Sequence, residues 1–183
     1  MEIRRLEIPD VFLITPVRRG DHRGWFSETF KASVLAEHGF THPFVQDNMA
    51  FSAAAGTLRG LHFQAPPHAQ AKLVSVSKGK ILDVAVDARK GSPTYGRHVS
   101  AELDAEEGVQ IYVPAGFLHG YVTRVPDTVV QYKVSDVYAP DCDGGVLWND
   151  PDLGIDWGIG ASEAQLSAKD IAAQRFADFK SPF

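Results

Sequence analysis

The chain has 183 residues, 44% of them apolar and 22% charged, with 16 glycines, 11 prolines and a formal net charge of −5. That length suits one domain with a substantial core rather than two, and the negative balance excludes an overall field favouring nucleic acid or an anionic membrane, so an anionic ligand must be met by a local cluster of Arg, Lys and His. The single cysteine, Cys142, excludes an internal disulfide framework and fits a reducing cytoplasm.

The opening residues 1–5 lead into no apolar run of the kind a secretory signal carries. Nowhere do about 18 apolar residues follow one another, as a membrane-crossing helix requires. Phe30, Val34 and Leu35 share one helical face, which predicts a helix over 28–38 with Gly39 as its stop. From 57 to 137 the pattern is that of strands. Residues 72–76 alternate, 77–79 turn and 81–87 alternate again, and 109–113 and 128–134 repeat the signal. Strands so closely spaced, with no helices between them, argue for an antiparallel sandwich or barrel. Residues 162–179 carry Ala, Leu and Ile at mixed spacing and predict one or two short helices. The expectation is a mainly β, soluble, cytoplasmic single domain over 1–183 with short helices near its N- and C-terminal ends.

Several side chains stand out against this pattern. Lys72 shares a strand face with Val74 and Val76. It either snorkels to water from an edge strand or stands partly desolvated, which favours its neutral form. Tyr132 shares a face with Val130 and Val134, and either packs in the core or offers a phenol to a barrel mouth. His62, in Arg59-Gly-Leu-His62-Phe-Gln64, is by itself as well explained by structural hydrogen bonding as by catalysis. The string Pro114-Ala-Gly-Phe-Leu-His119 resembles the second motif of the cupin superfamily, which implies a cupin-type antiparallel jelly roll, the double-stranded β-helix. Metal-binding cupins add a His-x-His and a Glu. Here that place reads His62-Phe63-Gln64 with no Glu in the next ten residues, so no metal site is expected.

Taken together, the strings Asp21-His-Arg-Gly-Trp-Phe-Ser-Glu28, Gln46-Asp-Asn48, Leu58-Arg-Gly-Leu-His-Phe-Gln64, Lys72-Leu-Val, Val113-Pro-Ala-Gly-Phe-Leu-His-Gly120, Tyr132-Lys, Tyr138-Ala-Pro140, Trp148-Asn-Asp-Pro151 and Leu166-Ser-Ala-Lys-Asp170 resemble the dTDP-4-dehydrorhamnose 3,5-epimerase family. The resemblance covers roughly residues 8–170. It implies a homodimer that inverts C3 and C5 of dTDP-4-keto-6-deoxy-D-glucose, giving dTDP-4-keto-L-rhamnose for dTDP-L-rhamnose biosynthesis, with no cofactor. Protons beside a ketone leave only when the carbanion delocalises onto the ketone oxygen, so such a site needs a base, a cation and an acid. By resemblance His62 is the base, Asp170 its orienting partner, Lys72 the cation and Tyr132 the acid. Asp170 also stands three residues after Ser167, the spacing of a helix cap, and that reading stays open. The resemblance assigns Arg23, Arg59 and His119, with Lys169, to the diphosphate. It assigns Phe26, Glu28, Gln46, Asp47, Asn48, Tyr138 and Asp143 to the rest of the dTDP-sugar, with Asp143 standing where relatives often carry Glu. The family also includes enzymes that invert only C3 or only C5, and the wider superfamily includes metal-binding and non-catalytic cupins.

Overall fold

A computed structural model of the chain describes residues 1–40 and 42–183. The strands are β1 (Glu2–Arg5), β2 (Phe12–Thr15), β3 (Arg18–Asp21), β4 (Gly24–Ser27), β5 (Gln46–Ser52), β6 (Leu58–Gln64), β7 (Lys72–Lys78), β8 (Lys80–Asp87), β9 (His98–Asp104), β10 (Gln110–Val113), β11 (Phe117–Thr123), β12 (Thr128–Val134) and β13 (Asp143–Gly145). Of two short helices, α1 (Ala32–Glu37) falls between β4 and β5 and α2 (Ala168–Ile171) follows β13. Six strands form one sheet in the order β1-β2-β10-β7-β12-β5, five form a second in the order β13-β6-β11-β8-β9, and β3 and β4 make a separate hairpin. Strands distant in sequence, such as β7 with β10 and β6 with β11, pair antiparallel. This is the expected jelly roll.

The two sheets face each other across a shared core. Val74, Val76, Ile111 and Val130 of the six-stranded sheet pack against Ile81, Ala85, Val99, Leu103, Phe117 and Tyr121 of the five-stranded one. Alternation then sends Leu82, Val84 and Val86 of β8 to the outer face, where Trp148, Leu153, Trp157 and Phe179 of the C-terminal region cover them. Each fully buried Leu or Val contributes about 1.5–3 kcal/mol. The outer face of the six-stranded sheet is closed at one end by Leu35 and Phe40, packed on Phe12, Leu73 and Tyr112.

Near the N-terminus the structure departs from the sequence reading. Residues 28–31 are not helical: Lys31 is an extended N-cap with φ −148°, and α1 is six residues long. Phe30 packs against Phe44 at 5.7 Å between ring centroids, so tertiary contact outweighs the helical spacing. Gly39 does end the helix, with φ 92°. Five strands, β1 to β5, precede residue 57. Four of them have only four residues each, too short for alternation to declare itself. At the other end α2 and a 3₁₀ turn at Phe176–Asp178 match the expected short helices. Among the described residues, no helix is long and apolar enough to cross a membrane.

Two local arrangements position the site. β6 and β11 approach so closely at Gly60 that a Cβ there, at φ +141°, would lie 2.5 Å from the Cα of Gly120. The ladder register shifts at this point. The C-terminal segment is pinned on either side of α2 by parallel bridges, Thr57 with Gln165 and Val146 with Gln174.

Candidate active site

The register of the ladders gathers the reactive side chains. On β11, His119 stands opposite His62 of β6, and Tyr121 stands opposite both Arg59 of β6 and Asp83 of β8. Lys72 begins β7, paired with Val113 and Val134, and Tyr132 pairs with Val74 and Asn48 on its two sides. Arg59, His62, Lys72, His119, Tyr121, Tyr132 and Asp170 together line a cavity of about 470 Å³. His62, Lys72 and Tyr132 also line a neighbouring cavity of about 400 Å³ with Gln46, Asn48, Tyr138, Asp143 and Lys169. These three side chains therefore join the two hollows.

His62 Nε2 lies 2.5 Å from Asp170 Oδ1. The imidazole keeps 30% of its surface exposed and the carboxylate 3%. Ser167, the N-cap of α2, accepts a hydrogen bond from the Asp170 backbone N–H and donates from Oγ to Asp170 Oδ2 at 2.7 Å. The cap is thus Ser167, and the Asp170 side chain is turned toward His62. Burial works to raise the Asp170 carboxyl, but the hydrogen bonds from His62 and Ser167 outweigh it and hold it below the usual carboxylate range.

Lys72 is partly buried among the core-facing side chains of β7 and β12. Burial pulls its ammonium down to about 8, an effect opposed by the charges of Asp83 and Asp143 and reinforced by Lys169. Asp83 is fully buried and bonded to His119 Nε2 through both oxygens, at 3.0 and 2.9 Å. Burial also lowers the His119 imidazole, against the pull of Asp83. His119 is a buried imidazole tied to a carboxylate, and it lines the cavity with Arg59 and Lys72. Asp83 escaped the sequence reading, although its alternation with Ile81 and Ala85 on β8 marks it as a charge on a core face. Tyr132 is raised above the usual phenol value by burial, with Arg59 opposing and Asp143 assisting. Gln64 is turned to structure. Its amide donates to Val137 O at 2.9 Å and accepts from Ala139 N at 2.9 Å, fixing the loop that carries Tyr138. Among the described residues, no group of three His, Cys, Asp or Glu is arranged to hold a metal ion.

In the neighbouring cavity Gln46 donates to Asn48 Oδ1 at 2.8 Å and accepts from Tyr138 N at 3.0 Å. Tyr138 Oη donates to Asp143 at 3.2 Å, and Lys169 pairs with the same carboxylate. Four expected residues are not brought here. Asp47 lies one step out of phase with Gln46 and Asn48 on β5, so its side chain stands on the opposite face and pairs with Lys133 at 2.8 Å. Arg23 is spent on Asp21 at 2.6 Å, and with Phe26 it lines a separate depression on the β3–β4 hairpin. Glu28, just beyond that hairpin, is solvent-exposed and faces Lys31 at 4.0 Å.

Comparison with known proteins bears on the family. A family model described as dTDP-4-dehydrorhamnose 3,5-epimerase matches residues 5–178. A dTDP-4-dehydrorhamnose 3,5-epimerase of Sinorhizobium fredii is 50% identical over 157 residues, covering 86% of this chain and 80% of that protein. The crystal structure of a dTDP-6-deoxy-D-glucose-3,5-epimerase from Legionella pneumophila, in complex with dTDP-4-keto-L-rhamnose, superposes with a TM-score of 0.93 at 41% identity, covering 98% of this chain and 94% of that one. A 3'-monoepimerase from Streptomyces bikiniensis, in complex with dTDP-quinovose, superposes with a TM-score of 0.85 at 37% identity, covering 94% of this chain and 87% of that one. With the match running through nearly every strand described above, this chain belongs to the dTDP-4-dehydrorhamnose 3,5-epimerase family.

Proposed function

We propose that this chain inverts C3 and C5 of dTDP-4-keto-6-deoxy-D-glucose through enolate intermediates, giving dTDP-4-keto-L-rhamnose for dTDP-L-rhamnose biosynthesis. The observation that carries the reading is the disposition of His62 and Tyr132. His62 stands on β6 of the five-stranded sheet and Tyr132 on β12 of the six-stranded sheet, and both line one cavity. A base on one wall and an acid on the other is what inversion at carbon requires.

Nε2 of His62 is committed to Asp170, which leaves Nδ1 to take the proton from the carbon beside the ketone. The buried carboxylate stabilises the imidazolium that forms, much as the acid of a Ser-His-Asp triad does. The electron pair moves onto the C4 oxygen, where Lys72 meets it. With its ammonium at about 8, Lys72 is cationic at neutral pH yet loosely held enough to share its proton with the oxyanion. Tyr132, a phenol protonated at neutral pH and raised further by burial, delivers a proton from the opposite wall. The phenolate and imidazolium left behind are reset by proton exchange with water. No electrons are gained or lost in the cycle. Asp83 acts through its neighbours: it fixes His119 and offsets the desolvation of Lys72.

Arg59 and Lys169 suit the diphosphate through charged hydrogen bonds, and Gln46, Asn48 and Tyr138 suit the nucleoside. We assign Arg23, Phe26 and Glu28 to a homodimer in which one copy's hairpin region reaches its partner's cavity. The exposure of Trp25 and Phe26, 59% and 72%, supports that reading, because apolar rings left in solvent favour a partner surface. We take residues 1–183 to work as one cytoplasmic domain.

The test is turnover of dTDP-4-keto-6-deoxy-D-glucose by metal-stripped protein in D₂O. Deuterium at both C3 and C5, lost in His62→Ala, is the expected result. Label at one carbon would assign a single epimerisation, as in the Streptomyces relative. Label at neither would defeat the enolate reading.

A further inference from the structure

Tyr121 has no place in the scheme above, yet it lies inside the same cavity. It follows His119 by two residues on β11, so both side chains point between the sheets. Its ring packs in the core formed by the two sheets, and only 5% of the residue is exposed. Its hydroxyl is buried and has no hydrogen-bond partner among the described residues. Asp83 and Arg59 stand directly across from it on the two flanking strands, and neither reaches it.

A phenylalanine would fill this space equally well and spare the fold an unpaired buried hydroxyl, an arrangement native structures rarely tolerate. The hydroxyl makes physical sense if its partner arrives with the ligand. Resting on the epimerase reading, we infer that Tyr121 contacts the substrate directly, donating from its hydroxyl to an oxygen of the 4-keto sugar. Burial pushes its phenol up to about 12, so at physiological pH it is a donor. Its depth assigns the contact to the sugar rather than to the diphosphate. Arg59, across the ladder from it, is exposed, whereas Tyr121 is buried in the wall it shares with Lys72 and His119. With Lys72 and Tyr132, Tyr121 gives the sugar a third fixed polar contact, one that limits how the ring turns between its two inversions.

The test compares wild-type protein with Tyr121→Phe in three measurements: thermal unfolding without ligand, calorimetric binding of dTDP alone, and kcat and KM for dTDP-4-keto-6-deoxy-D-glucose. The expected result is an unchanged or higher Tm, unchanged dTDP affinity, and a fall in kcat/KM of about three- to tenfold, the loss of one hydrogen bond to a neutral group. A kcat/KM within twofold of wild type would overturn the inference, because the hydroxyl then serves water or nothing. A lowered Tm accompanying the loss would overturn it in favour of a role in the fold. Weakened binding of dTDP alone would overturn the assignment to the sugar. Wild-type protein that fails to turn over the substrate defeats the epimerase reading and this inference with it, whereas active wild type beside an equally active variant defeats this inference alone.

Discussion

Replacing Lys72 with methionine separates what this side chain costs the fold from what it gives the chemistry. The ammonium is displaced from its ordinary 10.5 to about 8, chiefly by burial. At 1.36 kcal/mol per pH unit, that displacement corresponds to about 3 kcal/mol of native-state stability forgone to keep the charge at pH 7. Methionine has a similar reach and no charge, so Lys72→Met is expected to be more stable than wild type by about 1–3 kcal/mol at pH 7. The sign also fixes how the gap varies with pH. The folded lysine releases its proton near 8 and the unfolded one near 10.4, so between these values the unfolded state binds more protons and wild-type stability rises with pH. The advantage of the variant must therefore shrink from pH 7 to pH 10. Urea denaturation followed by the fluorescence of buried Trp148 and Trp157 measures both quantities. Epimerase activity should fall about a hundred- to a thousandfold in the same variant. Equal stability at pH 7, or a gap that stays constant up to pH 10, would refute desolvation as the source of the displacement.

Asp83→Asn removes the buried charge that raises Lys72. The alkaline limb of kcat/KM, where Lys72 loses its proton, should move to lower pH, and a pH–rate profile reads the shift directly. Gly60→Ala places a methyl group 2.5 Å from the Cα of Gly120 at a φ of +141°. It should cost about 1–3 kcal/mol or more in denaturation experiments. Asp150 accepts from Phe176 N, Arg175 Nε and Asp152 N at 2.8, 2.9 and 3.0 Å. Burial raises this carboxyl, but the donors outweigh it and the net displacement is downward. Its stabilisation is therefore present above the ordinary carboxylate value and lost as pH falls through the lowered one. Asp150→Asn should cost about 1.5–3 kcal/mol at pH 7, and the difference from wild type should narrow in acid unfolding.

How much could be read from the sequence followed from what alternation records. β12 spans the residues its pattern indicated, because both faces of Thr128–Val134 are constrained by packing or pairing. Lys72 was visible as a charge in phase with Val74 and Val76. Asp83 obeys the same rule on β8 but is hidden, because β8 is buried on both faces from Ile81 to Asp87 and offers no polar face for contrast. Asp47 was misplaced for a related reason. Gln46-Asp-Asn48 looks like a unit as a contiguous string, whereas a strand sends its middle member to the other side. Arg23, Phe26 and Glu28 were legible only as motif members. Their relation to the cavity depends on contacts beyond one chain's backbone, which no periodicity encodes. Tyr121 looked like any strand aromatic, since only three-dimensional packing reveals that its hydroxyl lacks a partner.

The bridges from Thr57 to Gln165 and from Val146 to Gln174 also tie the partner of the base to the framework at two points. His62 and Asp170 are separated by 108 positions, and the carboxylate rides on a segment docked along the edges of a β-framework that ends at Gly145. The base and its carboxylate partner therefore meet only when this late segment is docked on the framework. A cut between the two bridges frees the stretch that carries Asp170 from one of its anchors, so nicked protein is expected to lose turnover before it loses its β-framework.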